Sequence, residues 1–230
     1  MSTMNKFIVF EGLDGSGKST QIKMLTNYFK KAGIDFKLLK FPRMEESIIG
    51  EMIAAFLRGE FGNIEDIPPY FVALMYAQDR NDAKQMLRES IDKHQYLIVD
   101  RYVSSNIAFQ CAKIRDEKQR AVLRDWILKL EYEHNALPKP DITFYLKVPF
   151  GFVKDTLTRG RGGKDRDYLK GNADIHEHDL NLQSNVDLEY LKLAELDASF
   201  RTVDCSTKDG QLLQRSEVHD AIIRLLGIEK

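Results

Sequence analysis

The chain has 230 residues, 43% of them hydrophobic and 30% charged, with a formal net charge of −1 at pH 7. A chain of this length buries a sizeable core, and its near-neutral charge excludes the global basic field that would hold nucleic acid or an anionic membrane. Cys111 and Cys205, the only cysteines, lie far apart in sequence and predict reduced core thiols of an intracellular protein rather than a disulfide. There is no signal-peptide pattern and no apolar run of membrane-spanning length, so the expected location is the cytoplasm.

Phe7-Ile8-Val9-Phe10 reads as a buried strand running into Gly12-Leu13-Asp14-Gly15-Ser16-Gly17-Lys18-Ser19-Thr20, which matches G-x-x-x-x-G-K-[ST]. Each part of that pattern has a mechanical job. The glycines admit positive φ and close approach of backbone to an anion. Backbone N–H groups of residues 15–18 wrap a β-phosphate, with the following helix pointing its N-terminus at the charge. Lys18 reaches the β and γ oxygens, and Ser19 places a hydroxyl on Mg²⁺. Ile22, Leu25, Phe29 and Ala32 at helical spacing, then Gly33, complete a strand–loop–helix unit.

Residues 36–41 form a second strand closed by Pro42, and apolar residues from Ile48 to Leu57 mark a short helix ended by Gly59. Pro68-Pro69 opens one long helix carrying Phe71, Leu74, Met75, Met86, Leu87 and Ile91. Residues 96–100 are a buried strand ending in Asp100, followed by a short loop through Ser105. A helix with Val122, Leu123, Trp126, Ile127 and Leu130 is broken by Leu137-Pro138-Lys139-Pro140-Asp141, ahead of a strand at 142–148. Residues 159–173 are glycine- and charge-rich with almost nothing apolar, a mobile insertion reaching to about 175. A helix with Leu182, Val186, Tyr190 and Leu193, a strand at 201–205 and a helix at 218–226 stopped by Gly227 close the chain. Strands alternating with helices predict one α/β domain over residues 1–230, a three-layer α/β/α P-loop fold with a central parallel sheet of about five strands.

Asp100 closes a strong apolar strand, where a carboxylate helps hold Mg²⁺, often through water. Arg101, at the C-terminal edge of a parallel sheet beside a phosphate loop, is shaped to clamp phosphoryl oxygens bidentately.

With these residues in view, the chain resembles the thymidylate kinase family of the nucleoside monophosphate kinase superfamily over nearly its whole length. The resemblance rests on the loop at 12–20, the Phe41-Pro42-Arg43 turn, Ala77-Gln78-Asp79-Arg80, Asp100-Arg101-Tyr102-Val103-Ser104-Ser105-Asn106, Leu137-Pro138-Lys139-Pro140-Asp141 and Asp174-x-x-Glu177. It implies transfer of the γ-phosphoryl group of ATP, with Mg²⁺, onto dTMP to give dTDP for dTTP synthesis, by a homodimer. It also implies residue roles. Asp14 faces the acceptor nucleotide and helps order sugar hydroxyl, metal and phosphate. Phe41, Arg43 and Arg101 surround the acceptor phosphate, with Pro42 and Ser105 also in the substrate site; Tyr76 lies against the base, and Arg80 reaches a thymine carbonyl. Asn106 offers an amide edge to thymine N3 and its neighbouring carbonyl, and Phe109 disfavours a ribose 2′-hydroxyl by leaving it unpaired. Asp174 and Glu177 join the substrate site, with Ser19, Asp100, Asp14 and Glu177 around the metal.

The basic segment would be a lid carrying Arg159 and Arg161. Some members of the family have an arginine inside the glycine loop where this chain has Gly15, so the catalytic cations must come from Arg159 and Arg161 beside Lys18 and Arg101. Two further departures are Met44 and His176, which stand where an aromatic is more usual. The His176-Glu177-His178 triplet is a poor zinc site, because a spacing of two splays imidazoles apart on a helix. Rival readings are a kinase for dUMP or a broader deoxynucleotide set, and a nucleotide-dependent switch or motor. A GTPase switch would need an N-K-x-D motif, which the chain lacks.

Overall fold

A computed structural model describes residues 6–159, 164–171 and 174–228. Its centre is a sheet of five parallel strands, β1 (Lys6–Glu11), β2 (Phe36–Lys40), β3 (Tyr96–Asp100), β4 (Ile142–Lys147) and β5 (Phe200–Asp204), in the order β2-β3-β1-β4-β5. Phe7, Ile8, Val9 and Phe10 are all buried because helices cover both faces of β1. Register then fixes the site: Phe10 lies opposite Asp100 on one side, and Glu11 opposite Tyr145 on the other. Strand order jumps from β1 to its two neighbours at this point, so the carboxyl ends of β1 and β3 open a crevice together.

Helix α1 (Lys18–Ala32) buries Ile22, Leu25 and Phe29 and ends at Gly33 in the left-handed conformation, as its sequence predicts. Ser47 caps α2 (Ile48–Leu57) by accepting from the Gly50 N–H at 2.9 Å. Gly50 is obligatory there, since a Cβ would stand 1.9 Å from the Arg43 carbonyl oxygen.

Three expectations are corrected by the fold. The single long helix is two, α3 (Pro69–Asp82) and α4 (Lys84–Lys93), divided at Ala83, whose N–H turns back to the Arg80 carbonyl. Only Val72, Ala73, Ala77 and the polar pair Asp79 and Arg80 of α3 are buried, which leaves Phe71 68% and Leu74 45% exposed. The loop expected after β3 is a helix, α5 (Val103–Cys111). Finally, the segment near 159–175 is less polar in its packing than in its composition. Its described part forms a 3₁₀ turn over Lys164–Leu169 that buries Leu169, then α8 (Ile175–His178). Tyr168 and Ile175 pack against a second small apolar cluster of Ile53, Phe56, Leu57 and Val72.

The remaining helices are α6 (Glu117–Leu128), which runs on into a π-helical turn at Lys129–His134, α7 (Phe150–Thr158), α9 (Leu180–Leu196) and α10 (Arg215–Leu226). Cys111 and Cys205 are free and buried, as expected of core thiols. Among the described residues no helix is long and apolar enough to cross a membrane.

Candidate active site

The glycine loop closes on its own lysine. Lys18 Nζ donates to the carbonyl oxygens of Gly12 at 3.0 Å and Leu13 at 2.9 Å. Gly12 has φ +155°, and a Cβ there would meet Ser16 Oγ at 2.6 Å. The loop lines a cleft of about 920 Å³ with Ser16, Lys18, Ser19, Thr20, Asp100, Arg101 and Glu177 among its walls. Backbone donors and the N-terminus of α1 converge there, an arrangement that holds phosphate. Buried Ser16 Oγ and Asp100 Oδ1 have no hydrogen-bond partner among the described residues. An orphaned carboxylate oxygen across from the exposed Ser19 suits a hydrated divalent cation. No group of three His, Cys, Asp or Glu side chains suited to a metal occurs among the described residues. A Mg²⁺ site that keeps its waters and substrate phosphates needs no such cage.

Arg101 leaves β3 at φ +66°, a conformation that costs a non-glycine residue about 1 kcal/mol or more. Its N–H donates to the Phe10 carbonyl at 3.0 Å, its Nη2 to Asp14 Oδ1 at 2.7 Å and its Nη1 to Ser105 Oγ at 3.1 Å, and its guanidinium lies 5.3 Å from the Phe109 ring centre. Burial opposes the charge, but Asp14, then Tyr190 and Glu11, overrides that and raises the pKa above the ordinary arginine value. Asp14 Oδ2 in turn accepts from Gln183 Nε2 at 3.1 Å.

Glu11 is the support beneath this arm. Fully buried at the end of β1, it accepts on Oε1 from the N–H groups of Tyr102 at 2.9 Å and Ser105 at 3.1 Å. Its Oε2 accepts from the hydroxyls of Ser105 at 2.5 Å and Tyr190 at 2.9 Å. Burial raises its pKa; Arg101 and these donors pull it back. The carboxylate therefore caps α5, which is why residues that look like a loop are helical.

A second cleft of about 570 Å³ shares Asp14, Phe41, Pro42, Arg101 and Asp174 with the first. It gathers Tyr76, Arg80, Ser105, Asn106 and Phe109 as well, so most of the residues predicted for an acceptor stand around one space. At its far end Arg80 gives Nε to Glu131 Oε2 at 2.8 Å and Nη2 to Glu131 Oε1. Burial of Arg80 disfavours its charge, and the Glu131 carboxylate more than restores it. Asn106 spends both Nδ2 hydrogens behind it, on the Ala73 carbonyl and on Glu131 Oε1, each at 2.9 Å. That network fixes the amide orientation and leaves Asn106 Oδ1 buried without a partner among the described residues.

Asp174 caps α8 through the His176 N–H at 2.8 Å and accepts from the Tyr168 hydroxyl at 2.9 Å. Burial, then Asp14 and Glu177, pushes its pKa up to about 7. His176 lines the second cleft, its ring between Phe56 and Phe109.

Other expected residues stand elsewhere. Arg43 lines neither cleft; its N–H and Nε bind the Asp79 carboxylate at 3.0 and 3.1 Å, and its Nη2 the Asp79 carbonyl at 2.8 Å, pinning the 41–47 turn to α3. Arg159 is exposed at the end of α7 and lines neither cleft, and Arg161 lies outside the described residues. Sequence reasoning assigned no role to Glu11, Gln183 or Glu131. It also missed a third cleft, of about 640 Å³, where Phe152, Leu212, Leu213 and Arg215 face Gly15, Gly17 and Thr20. Phe152 and Leu212 are half-exposed there, an exposure that nothing in the sequence signals.

A glycine loop at the switch point of this strand order, facing an arginine-lined cleft across the same strand ends, defines an α/β P-loop kinase. The family model for thymidylate kinase matches residues 10–216, and the chain belongs to that family. It is 32% identical to the thymidylate kinase of Mycobacterium tuberculosis (strain H37Rv), over 81% of this chain and 85% of the relative. A "probable thymidylate kinase" of Pyrococcus abyssi is 30% identical, over 97% and 96%. The solved thymidylate kinase of Candida albicans shares the fold at a TM-score of 0.75 and 23% identity, covering 97% of this chain and 92% of the other.

Proposed function

We propose that the protein phosphorylates dTMP to dTDP with ATP and Mg²⁺, feeding dTTP synthesis in the cytoplasm. The observation that carries the acceptor is the far end of the second cleft. Asn106 has only Oδ1 left unpartnered there, and Arg80, held on the same Glu131 carboxylate, lines the same cleft. Thymine carries the complement, an N3–H flanked by carbonyls, whereas cytosine would set a lone pair against Asn106 Oδ1. Phe109 gives a 2′-hydroxyl no polar partner.

In this reading the triphosphate lies on the glycine loop and its adenine in the third cleft, between Phe152 and Leu212. The acceptor phosphate meets Arg101 where the two main clefts join. The acceptor oxygen is already anionic, so positioning and charge neutralisation carry the rate. Lys18 exchanges its loop carbonyls for phosphoryl oxygens, and Arg101 holds the acceptor in line. Arg159 is a further cation for the transferred group. Ser19 and Asp100, with Asp14 and Glu177 near, would hold Mg²⁺, which when bound neutralises charge on the β and γ oxygens. We also propose a homodimer in which Phe71 and Leu74 of α3 and Val122 of α6 meet a second copy, the two helices being joined by the Tyr70–Trp126 ring contact. Sedimentation at twice the 26.6 kDa chain mass supports this, and a monomer rejects it.

The test of function is a panel of monophosphates with ATP-Mg²⁺. dTMP should be preferred, dUMP weaker, and AMP and CMP poor; equal rates on AMP or CMP would overturn the assignment.

A further inference from the structure

Glu131 belongs to no motif and touches neither the loop nor the joined end of the clefts. It is nevertheless fully buried, and it sits in the π-helical turn that extends α6. Such turns are rare and recur at functional sites. Its carboxylate is the shared partner of the two residues that face the base: Arg80 through Nε and Nη2, and Asn106 through Nδ2. We propose that Glu131 is the positioning residue that sets the cleft's preference for an imide base over a cytosine-type base. This deepens the dTMP reading above and rests on it.

Hydrogen-bond polarity sets the preference. A primary amide offers two N–H donors and one carbonyl. With Glu131 and the Ala73 carbonyl both behind Nδ2, a rotated amide would set its oxygen against two acceptors, so only Oδ1 is left for the cleft. The same carboxylate takes the Nε and Nη2 edge of Arg80 and neutralises its buried charge; Nη1 takes part in neither bond. One group thus fixes a pure acceptor next to a donor, the complement of N3–H and a neighbouring carbonyl. Cytosine puts a lone pair at N3 and an amino group at C4, keeping only the C2 carbonyl, and a buried unpaired polar group discriminates strongly against the wrong partner. Without the Glu131 carboxylate, the Asn106 amide is held by Ala73 alone and can turn an N–H toward the base.

The test compares kcat/KM for dTMP, dUMP and dCMP in the intact protein, Glu131→Gln and Glu131→Asp, with folding checked by circular dichroism. Glu131→Gln keeps the shape but supplies its own N–H donors, which draw Asn106 Oδ1 around. The dTMP:dCMP ratio should fall by about tenfold or more, while dTMP:dUMP, both imides, stays within about twofold. Glu131→Asp retains the charge that balances Arg80 and serves if the glutamine variant does not fold. Its shorter chain cannot reach Asn106, so the dTMP:dCMP ratio should fall there too. A merely structural role would lower all three substrates alike, and an unchanged dTMP:dCMP ratio in either folded variant would overturn the proposal. A native protein that does not distinguish dTMP from dCMP would instead overturn the reading of the acceptor on which the proposal rests.

Discussion

His176 has its ring centre 5.4 Å from Phe56 and 5.1 Å from Phe109, and its buried Nε2 finds no partner among the described residues. Burial, with Lys113 next, holds its pKa well below the ordinary 6.5, while Asp14 pulls upward and Arg101 downward. The imidazole is therefore neutral in the fold. A depressed folded pKa contributes stability that is present above about pH 6.5 and lost as pH falls below it, because only the unfolded chain can then take up the proton. Replacing the ring with one of similar shape and no polar atom removes both costs. His176→Phe should raise stability by about 1 kcal/mol at pH 8, and by more at pH 5, in thermal melts at the two pH values. A loss of stability at pH 8, or a gain that shrinks on acidification, would show that Nε2 is partnered.

Helix α5 shows how an element can depend on a residue far from it in sequence. Its first turn is capped by Glu11, 91 residues before Tyr102, so nothing local distinguishes Val103–Cys111 from a loop. The same helix carries Ser105, which links Glu11 to Arg101. Glu11 therefore belongs to the phosphate-loop strand by sequence and to the acceptor arm by bonding. Glu11→Gln should raise the KM for dTMP about tenfold, the scale of one weakened charge-assisted contact. The KM for ATP should change by less than about twofold. Steady-state titration of each substrate at saturating levels of the other measures both, and equal increases would place Glu11 in general support of the fold. By contrast, α1 was legible in full, because the glycine loop, the spacing of Ile22, Leu25 and Phe29, and the Gly33 stop are all local signals. The division of α3 from α4 at Ala83 was not, since alanine carries no turn signal and the break follows from tertiary packing.

Across the whole molecule, the parallel sheet was legible because its strands are short apolar runs bounded by turn residues, and β1, β3 and β4 are buried almost throughout. The strand order then joins chemistry that the sequence scatters: the loop at 12–17, Asp100-Arg101 and Asp174 meet only because β3 lies beside β1 and α8 returns over their ends. Lys18 stands out in the sequence through its loop motif, and Arg80 and Asn106 through the family resemblance alone. Glu131 and Gln183 do not, because each is one charged or polar residue among many until a fold brings it to a partner more than 50 positions away. If the two joined clefts make one phosphoryl-transfer site, incubating the protein with ATP-Mg²⁺ and dTMP and separating the nucleotides by chromatography should yield dTDP and ADP in equal amounts. ADP should fall to a trace when dTMP is left out. ADP released at the same rate without dTMP, or without matching dTDP, would show that the clefts do not work as one site.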